Sequence, residues 1–149
     1  MSTSEMEVTK RLAEWVCESE FSSVPEDVGH EAARTLLNWM GCAVGGSRHE
    51  SVDIALRALG PFMGQPQASV LGRAEKVDVL HAALLNGIGS HVFDFDDTHL
   101  QTIIHPAGPV ASALVPLAEH RPVSGRDFLH ALILGVEVEC RIGNAVYPD

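Results

Sequence analysis

Sixteen residues, His91 to Pro106, hold three carboxylates (Asp94, Asp96, Asp97), three imidazoles (His91, His99, His105) and two threonine hydroxyls (Thr98, Thr102). The flanking sequence is mostly apolar or small. Charge is expensive to bury unless it is paired or used. Titratable groups at this density therefore mark a site rather than a solvated surface. Four readings compete. In the structural one, Asp94, Asp96 and Asp97 cap a following helix and the histidines are ordinary loop residues. In the second, Asp and His ligate a metal, but no His-x-x-x-His or Glu-x-x-His pair occupies one helical face. In the third, Asp94-Phe-Asp96-Asp-Thr98 is the Asp-x-Asp-x-Thr nucleophile of a magnesium-dependent phosphatase. That motif needs an apolar strand before it, whereas Asn86 to Phe93 reads as a helix end. The fourth is metal-free carboxylic-acid chemistry, which needs a base, an acid and donors for the developing enediolate. His105 can exchange a proton near neutral pH, Asp94 can orient an imidazole or act as an acid, and Thr98 can donate to a carboxylate.

The elements that must position these groups are helices. Val8, Leu12, Trp15 and Val16 fall at helical spacing, with Ser2 and Ser4 as candidate N-caps. Ser22 to Pro25 separates this helix from a second, whose stripe is Val28, Ala32, Leu36, Leu37, Met40 and Val44 and which ends at Gly45-Gly46. Gly41 and Gly45 are spaced to admit a close neighbouring helix. A third helix covers Ser51 to Leu59, and a short extended segment lies near 68–72. Asp78 caps a fourth helix through Leu80, Ala83, Leu84 and Ile88 to His91. His105-Pro106 keeps His105 extended, and Pro109 can begin a fifth helix through Val110, Leu114 and Leu117. Ser124-Gly-Arg-Asp127 is a capping-box pattern opening the last helix, where Glu137 and Arg141 form a surface pair. The fold class is all-α.

Composition narrows the partners. The chain has 149 residues, ten basic against twenty acidic, for a net charge of −10. That balance argues against nucleic acid and anionic membranes. An anionic small substrate would require a local positive patch. Cys17, Cys42 and Cys140 are widely spaced and form no Cys-x-x-Cys, so they read as free thiols of a reducing compartment, the cytoplasm. The polar, acidic start is unlike a signal peptide, and no apolar run reaches the roughly 20 residues of a membrane span. Tyr147-Pro148-Asp149 follows a strong helical pattern without a polar tail, and reads as a chain cut short.

Asn86-Gly87, His91, Asp94 to His99 and His105-Pro106 together resemble the signature of the MmgE/PrpD family. Ala33-Arg34 to Gly46 resembles its early helix, with Asn38 where an Asp is common. Ala68 to Gly72 resembles its short strand, and Ser124 to Ile142 the helix after the signature. The resemblance runs from about Leu12 to Ile142. It implies the N-terminal part of a larger helical domain, the later helices and a smaller α/β domain being absent from 1–149. It further implies a homodimer, or association with the remainder of the fold. Family members act without metal or organic cofactor on small di- and tricarboxylates. They include 2-methylcitrate dehydratase, cis-aconitate decarboxylase and iminodisuccinate epimerase, and share proton transfer next to a carboxylate. Carried over, Asp94, Thr98 and His105 are the catalytic positions, with His91, Asp97 and His99 nearby as substrate-binding candidates. The family completes its site with later Lys, His and Tyr residues. The expected activity is thus that of a cofactor-independent, dehydratase-like lyase with its cationic half outside this chain. The alternative is a non-catalytic helical module that binds a partner through an exposed half-core.

Overall fold

In the computed structural model, residues 7–147 are described. Six helices follow in order: α1 Val8–Glu18, α2 Glu26–Gly46, α3 Glu50–Leu59, α4 Val79–His91, α5 Ala107–His120 and α6 Gly125–Val146. A two-residue antiparallel pair, β1 Ala68–Ser69 and β2 Lys76–Val77, sits between α3 and α4, with Ala68 opposite Val77. The fold is mostly helical, as expected, and the extended segment lies where the sequence puts it. The candidate caps Ser2 and Ser4 lie outside the described residues.

Helix α4 is the hub. It packs on α2, α3 and α5, while α6 covers α5 and α2. One core cluster joins Val52, Ala68, Val70, Val77, Ala82 and Leu85; the other joins Trp39, Ala43, Ala107, Ala111 and Leu132. Buried Asn86 ties the sheet to α4, accepting from the Leu71 N–H at 2.8 Å and donating to the Ser69 carbonyl at 3.1 Å.

The apolar stripes need correction. On α2 the buried line is Ala32, Trp39, Ala43 and Gly46, while Val28, Leu37, Met40 and Val44 are exposed. On α4 the buried face is Ala82, Leu85, Asn86, Gly89 and Ser90; Leu80 is 80% exposed. The reason is that α2 and α4 approach closely, and close approach selects small residues. A Cβ on Gly46 would lie 2.0 Å from the Gly89 carbonyl oxygen. Gly41 and Gly45, expected to admit the neighbour, face open space. Leu37, Met40 and Val44 on α2 and Leu80 on α4 consequently stand on outer faces, while Trp39 and Leu85 fill the core beside the crossing.

Helix starts are set by side chains. Ser124 accepts from the Asp127 N–H at 3.0 Å, as its motif predicts. Asp78 accepts from Leu80 N and His81 N, each at 3.1 Å, and from Gly64 N at 2.8 Å. Helix α5 begins at Ala107, two residues before Pro109. Asp97 reaches from ten residues upstream and accepts the Ala107 N–H on both oxygens at 3.2 Å. Pro109 then falls in the first turn, where its missing N–H costs nothing.

Two outcomes follow for stability. Gly46→Ala should destabilise by about 1–3 kcal/mol or more through overpacking against backbone. Gly45→Ala should be neutral or stabilising by up to about 1 kcal/mol. Equal midpoints in urea melts of the two variants would contradict the α2–α4 crossing. The second concerns Asp78. Its carboxyl is lowered from 3.8 to about 2, chiefly by the Gly64 N–H; burial opposes this, and the His81 amide and ring add to the lowering. A depressed carboxyl contributes stability above its unfolded value, and this is lost as pH falls from about 4 through about 2. Asp78→Asn should flatten the stability–pH curve in that window, as read by thermal melts.

Candidate active site

The loop from Val92 to Pro106 joins α4 to α5 and carries the titratable cluster. Two of its residues adopt left-handed backbone: Asp94 at φ 55° and Ile103 at φ 56°. Asp tolerates this region, but a β-branched residue there is an outlier. A tight turn over-determines it. His99 N donates to the Ile104 carbonyl at 2.8 Å, Ile103 N to the His99 carbonyl at 2.7 Å, and His99 Nδ1 lies 2.7 Å from Thr102 Oγ1.

The loop folds inside out. Phe93 and Phe95 are exposed, the latter 76%, whereas the Asp96 side chain is 1% exposed. His91 Nδ1 lies 3.1 Å from each Asp96 oxygen. His105 Nδ1 lies 3.5 Å from Asp96 Oδ1, and His105 Nε2 lies 3.5 Å from Asp94 Oδ1. The two imidazoles meet edge to face, 4.8 Å between centroids. One ring, His105, thus has a buried carboxylate at one nitrogen and an exposed one at the other.

These groups open onto a cleft of about 820 Å³ between α4 and α5. Asp96, His91, His105 and Glu139 supply its charged and titratable groups, and Ala83, Leu84, Ile88 and Ile104 much of its apolar wall. Among the described residues no lysine or arginine lines it. Burial, and then the nearby Asp97 charge, raise the Glu139 carboxyl above its ordinary value. Burial likewise raises the Asp97 carboxyl, and Asp96 adds to this, although the Ala107 N–H opposes it. A polar arrangement of this kind can hold and move protons. It has no side-chain cation with which to bind a polyanion.

The residues read from the sequence divide accordingly. The structure brings Asp94, His91 and His105 together. Asp97 holds the start of α5, and His99 closes the turn; neither lines the cleft. Thr98 is exposed and also outside the cleft lining. Asp96 and Glu139 line the cleft but were not singled out by sequence reasoning. No local signal separates Asp96 from Asp94 and Asp97, since all three are carboxylates of one loop. Cys17 is exposed, Cys42 and Cys140 are half-buried, and all three are free.

His91, Asp94, Asp96 and His105 could converge on a cation, each offering one atom, all within 4.8 Å of one another. Zinc takes nitrogen and oxygen ligands at about 2.0–2.2 Å, placing ligand atoms roughly 3.5 Å apart. The quartet spreads wider than that, to as much as 4.8 Å, so a metal would have to draw the four groups closer together. The Asp-x-Asp-x-Thr match lacks its strand, since the residues before Asp94 end helix α4. No helix among the described residues is long and apolar enough to cross a membrane.

Comparison with known proteins gives the chain its family. The chain is 35% identical to a cis-aconitate decarboxylase-like protein, oryM, of Aspergillus oryzae, over 98% of its own length and 32% of the relative's. It is 28% identical to the cis-aconitate decarboxylase of Aspergillus terreus, over 94% of this chain and 30% of that protein. It is 30% identical to the human cis-aconitate decarboxylase, over 91% and 29%. The chain therefore spans about a third of the length of the curated relatives it matches. The family described as MmgE/PrpD N-terminal domain matches residues 10–149, and the chain belongs to it.

Proposed function

We propose that this chain carries the proton-transfer half of a lyase site for a small di- or tricarboxylate. The observation that carries this reading is His105, held between Asp94 and Asp96 at an apolar cleft. The relatives' names favour cis-aconitate as the substrate and loss of CO₂ as the reaction. In that reaction the C–C bond to a carboxylate breaks, CO₂ leaves, and the electron pair stays on the carbon. The imidazolium form of His105 gives its Nε2 proton to that carbon and is left as the neutral ring, with its remaining proton on Nδ1. Dehydration of a related hydroxy acid, as in 2-methylcitrate, would use the same groups to remove a proton and then protonate the leaving hydroxyl. Thr98, exposed on the same loop, would join the site by donating its hydroxyl to a substrate carboxylate.

Substrate binding needs what the cleft lacks. Asp96 and Glu139 line it and Asp94 and Asp97 lie close by. Two like charges at 4 Å repel by about 1 kcal/mol in water and about 4 kcal/mol near a protein surface. Cations from the remainder of the family fold, or from a second copy, would offset this. The same surfaces would cover Leu37, Leu80 and Phe95, which stand exposed on α2, α4 and the loop. In this reading 1–149 is a partial helical domain of a cytoplasmic, cofactor-independent enzyme.

The exposed apolar residues also favour a second reading, a non-catalytic helical module that uses them to bind a partner. The two are separated by joining this chain to the remaining two-thirds of the Aspergillus terreus decarboxylase and measuring CO₂ release from cis-aconitate. The isolated chain should be inactive. The joined protein should release CO₂, keep doing so after chelation with EDTA, and lose at least about 10²-fold on His105→Ala. A folded joined protein that neither decarboxylates cis-aconitate nor dehydrates 2-methylcitrate would sink the lyase reading. Unchanged turnover in the His105 variant would remove that residue's role. Magnesium-dependent phosphate release that requires Asp94 would point to the phosphatase instead.

A further inference from the structure

We infer that Asp96 is the positioning carboxylate of His105, fixing which ring nitrogen carries the proton and which faces the substrate. This deepens the lyase reading and rests on it for its catalytic consequence, but its geometry stands by itself.

The argument begins from burial. Asp96 is sealed in the loop, yet an ionised carboxylate cannot stay buried without partners. Its partners are His91 Nδ1, at 3.1 Å from both oxygens, and His105 Nδ1, at 3.5 Å from Oδ1. The His105 Nδ1 atom is itself buried and makes no hydrogen bond, with the Asp96 carboxylate facing it at 3.5 Å. A bare Nδ1 would aim its lone pair at a carboxylate in a pocket closed to water. A protonated Nδ1 turns the same contact into an attraction. The proton therefore sits on Nδ1, and Nε2 is left as the working nitrogen beside Asp94. At 3.5 Å the Asp96 contact is longer than a good hydrogen bond, and contacts of this kind commonly tighten when substrate binds. His91 holds the carboxylate from the opposite side, so that Asp96 cannot rotate away from the ring.

Asp94 cannot take this part. It is exposed, sits at the other nitrogen, and its left-handed backbone places it outside the buried pair. The division is that of an orienting carboxylate behind the ring and a reacting face in front of it. Asp96 touches neither the cleft's far wall nor the proton being transferred; it acts through His105.

The test is a nitrogen-15 spectrum of the histidine-labelled 149-residue chain, with His105 assigned by its loss in His105→Gln. Once titrated to the neutral ring, His105 should carry its proton on Nδ1, with Nε2 bare. Asp96→Asn should move the neutral ring toward the Nε2–H form, whereas Asp94→Asn should not. In the joined protein, Asp96→Asn should lower kcat by about 10²-fold or more while KM changes little. A wild-type ring protonated on Nε2 overturns the inference, as does a folded Asp96→Asn chain with an unchanged tautomer. If Asp96→Asn does not fold, the wild-type spectrum decides. If the tautomer behaves as stated but the joined protein has no lyase activity, the lyase reading fails and the positioning role of Asp96 stands.

Discussion

The buried carboxylate of Asp96 is the constraint around which this chain is arranged. A carboxylate taken out of water costs several kcal/mol unless its oxygens are matched. Here two imidazoles match them, one at the end of α4 and one just before α5. The helices that frame the cleft are thus coupled through a single ionised group. Its neighbours in sequence are turned to other tasks. Asp97 holds the first N–H of α5, where the positive end of the helix dipole favours it. Asp94 points outward to the exposed face of His105. Each of the three carboxylates within four residues has its own direction and partner, which reduces their mutual repulsion without removing it.

That coupling works only if α4 is held firmly, and its anchor is the crossing with α2. Gly46 and Gly89 bring the two backbones together so tightly that even a methyl group would collide. Close-packed interiors tolerate little motion, so the C-terminal turn of α4, which carries Ser90 and His91, has a fixed position relative to α2. Asn86, one turn earlier, adds two hydrogen bonds to the segment around Ser69 and Leu71. The strained turn at Ile103 secures the other side of the loop. Strain of this kind persists only where surrounding contacts enforce it, and here the His99–Ile104 bridge and the His99–Thr102 contact do so.

Helices, caps and the short strand were legible in the sequence because each depends on local signals. Ser124 and Asp78 cap as their motifs predict, and the β1 segment appears between turn residues. The buried faces of α2 and α4 were not legible. Hydrophobic periodicity looks for a stripe of large apolar residues, but the α2–α4 crossing is set by glycine, alanine and serine. Trp39, fully buried, and Leu37, 72% exposed, exchange the roles their neighbours suggest. In the acidic loop, residue type indicated that chemistry was present, and a resemblance indicated which residues bear it. Neither could show that Asp96 turns inward while Phe95 turns out, because that choice is made by pairing with His91 and His105 across the folded loop, which no helical or strand periodicity encodes.

The same pairing explains why the cleft can manage protons yet lacks the cations that a polyanion needs. His91 and His105 are the positive or neutral groups nearest the carboxylates, and each is already engaged with Asp96. Arg73, the most buried guanidinium described, is committed to Asp53, Glu75 and the Ser47 carbonyl on the α3 side. An anion entering the cleft would meet carboxylates and the partial charge of the α5 N-terminus, worth about half a unit at most. That is too little for two or three substrate carboxylates. On the proposed reading, proton transfer and substrate capture are therefore separate duties. The buried Asp96–His105 pair is preorganised within this chain, and recognition falls to cations brought against its open face. Separation has a physical merit: lysines packed beside Asp96 would compete with His105 for its oxygens, and the ring would lose the partner that orients it.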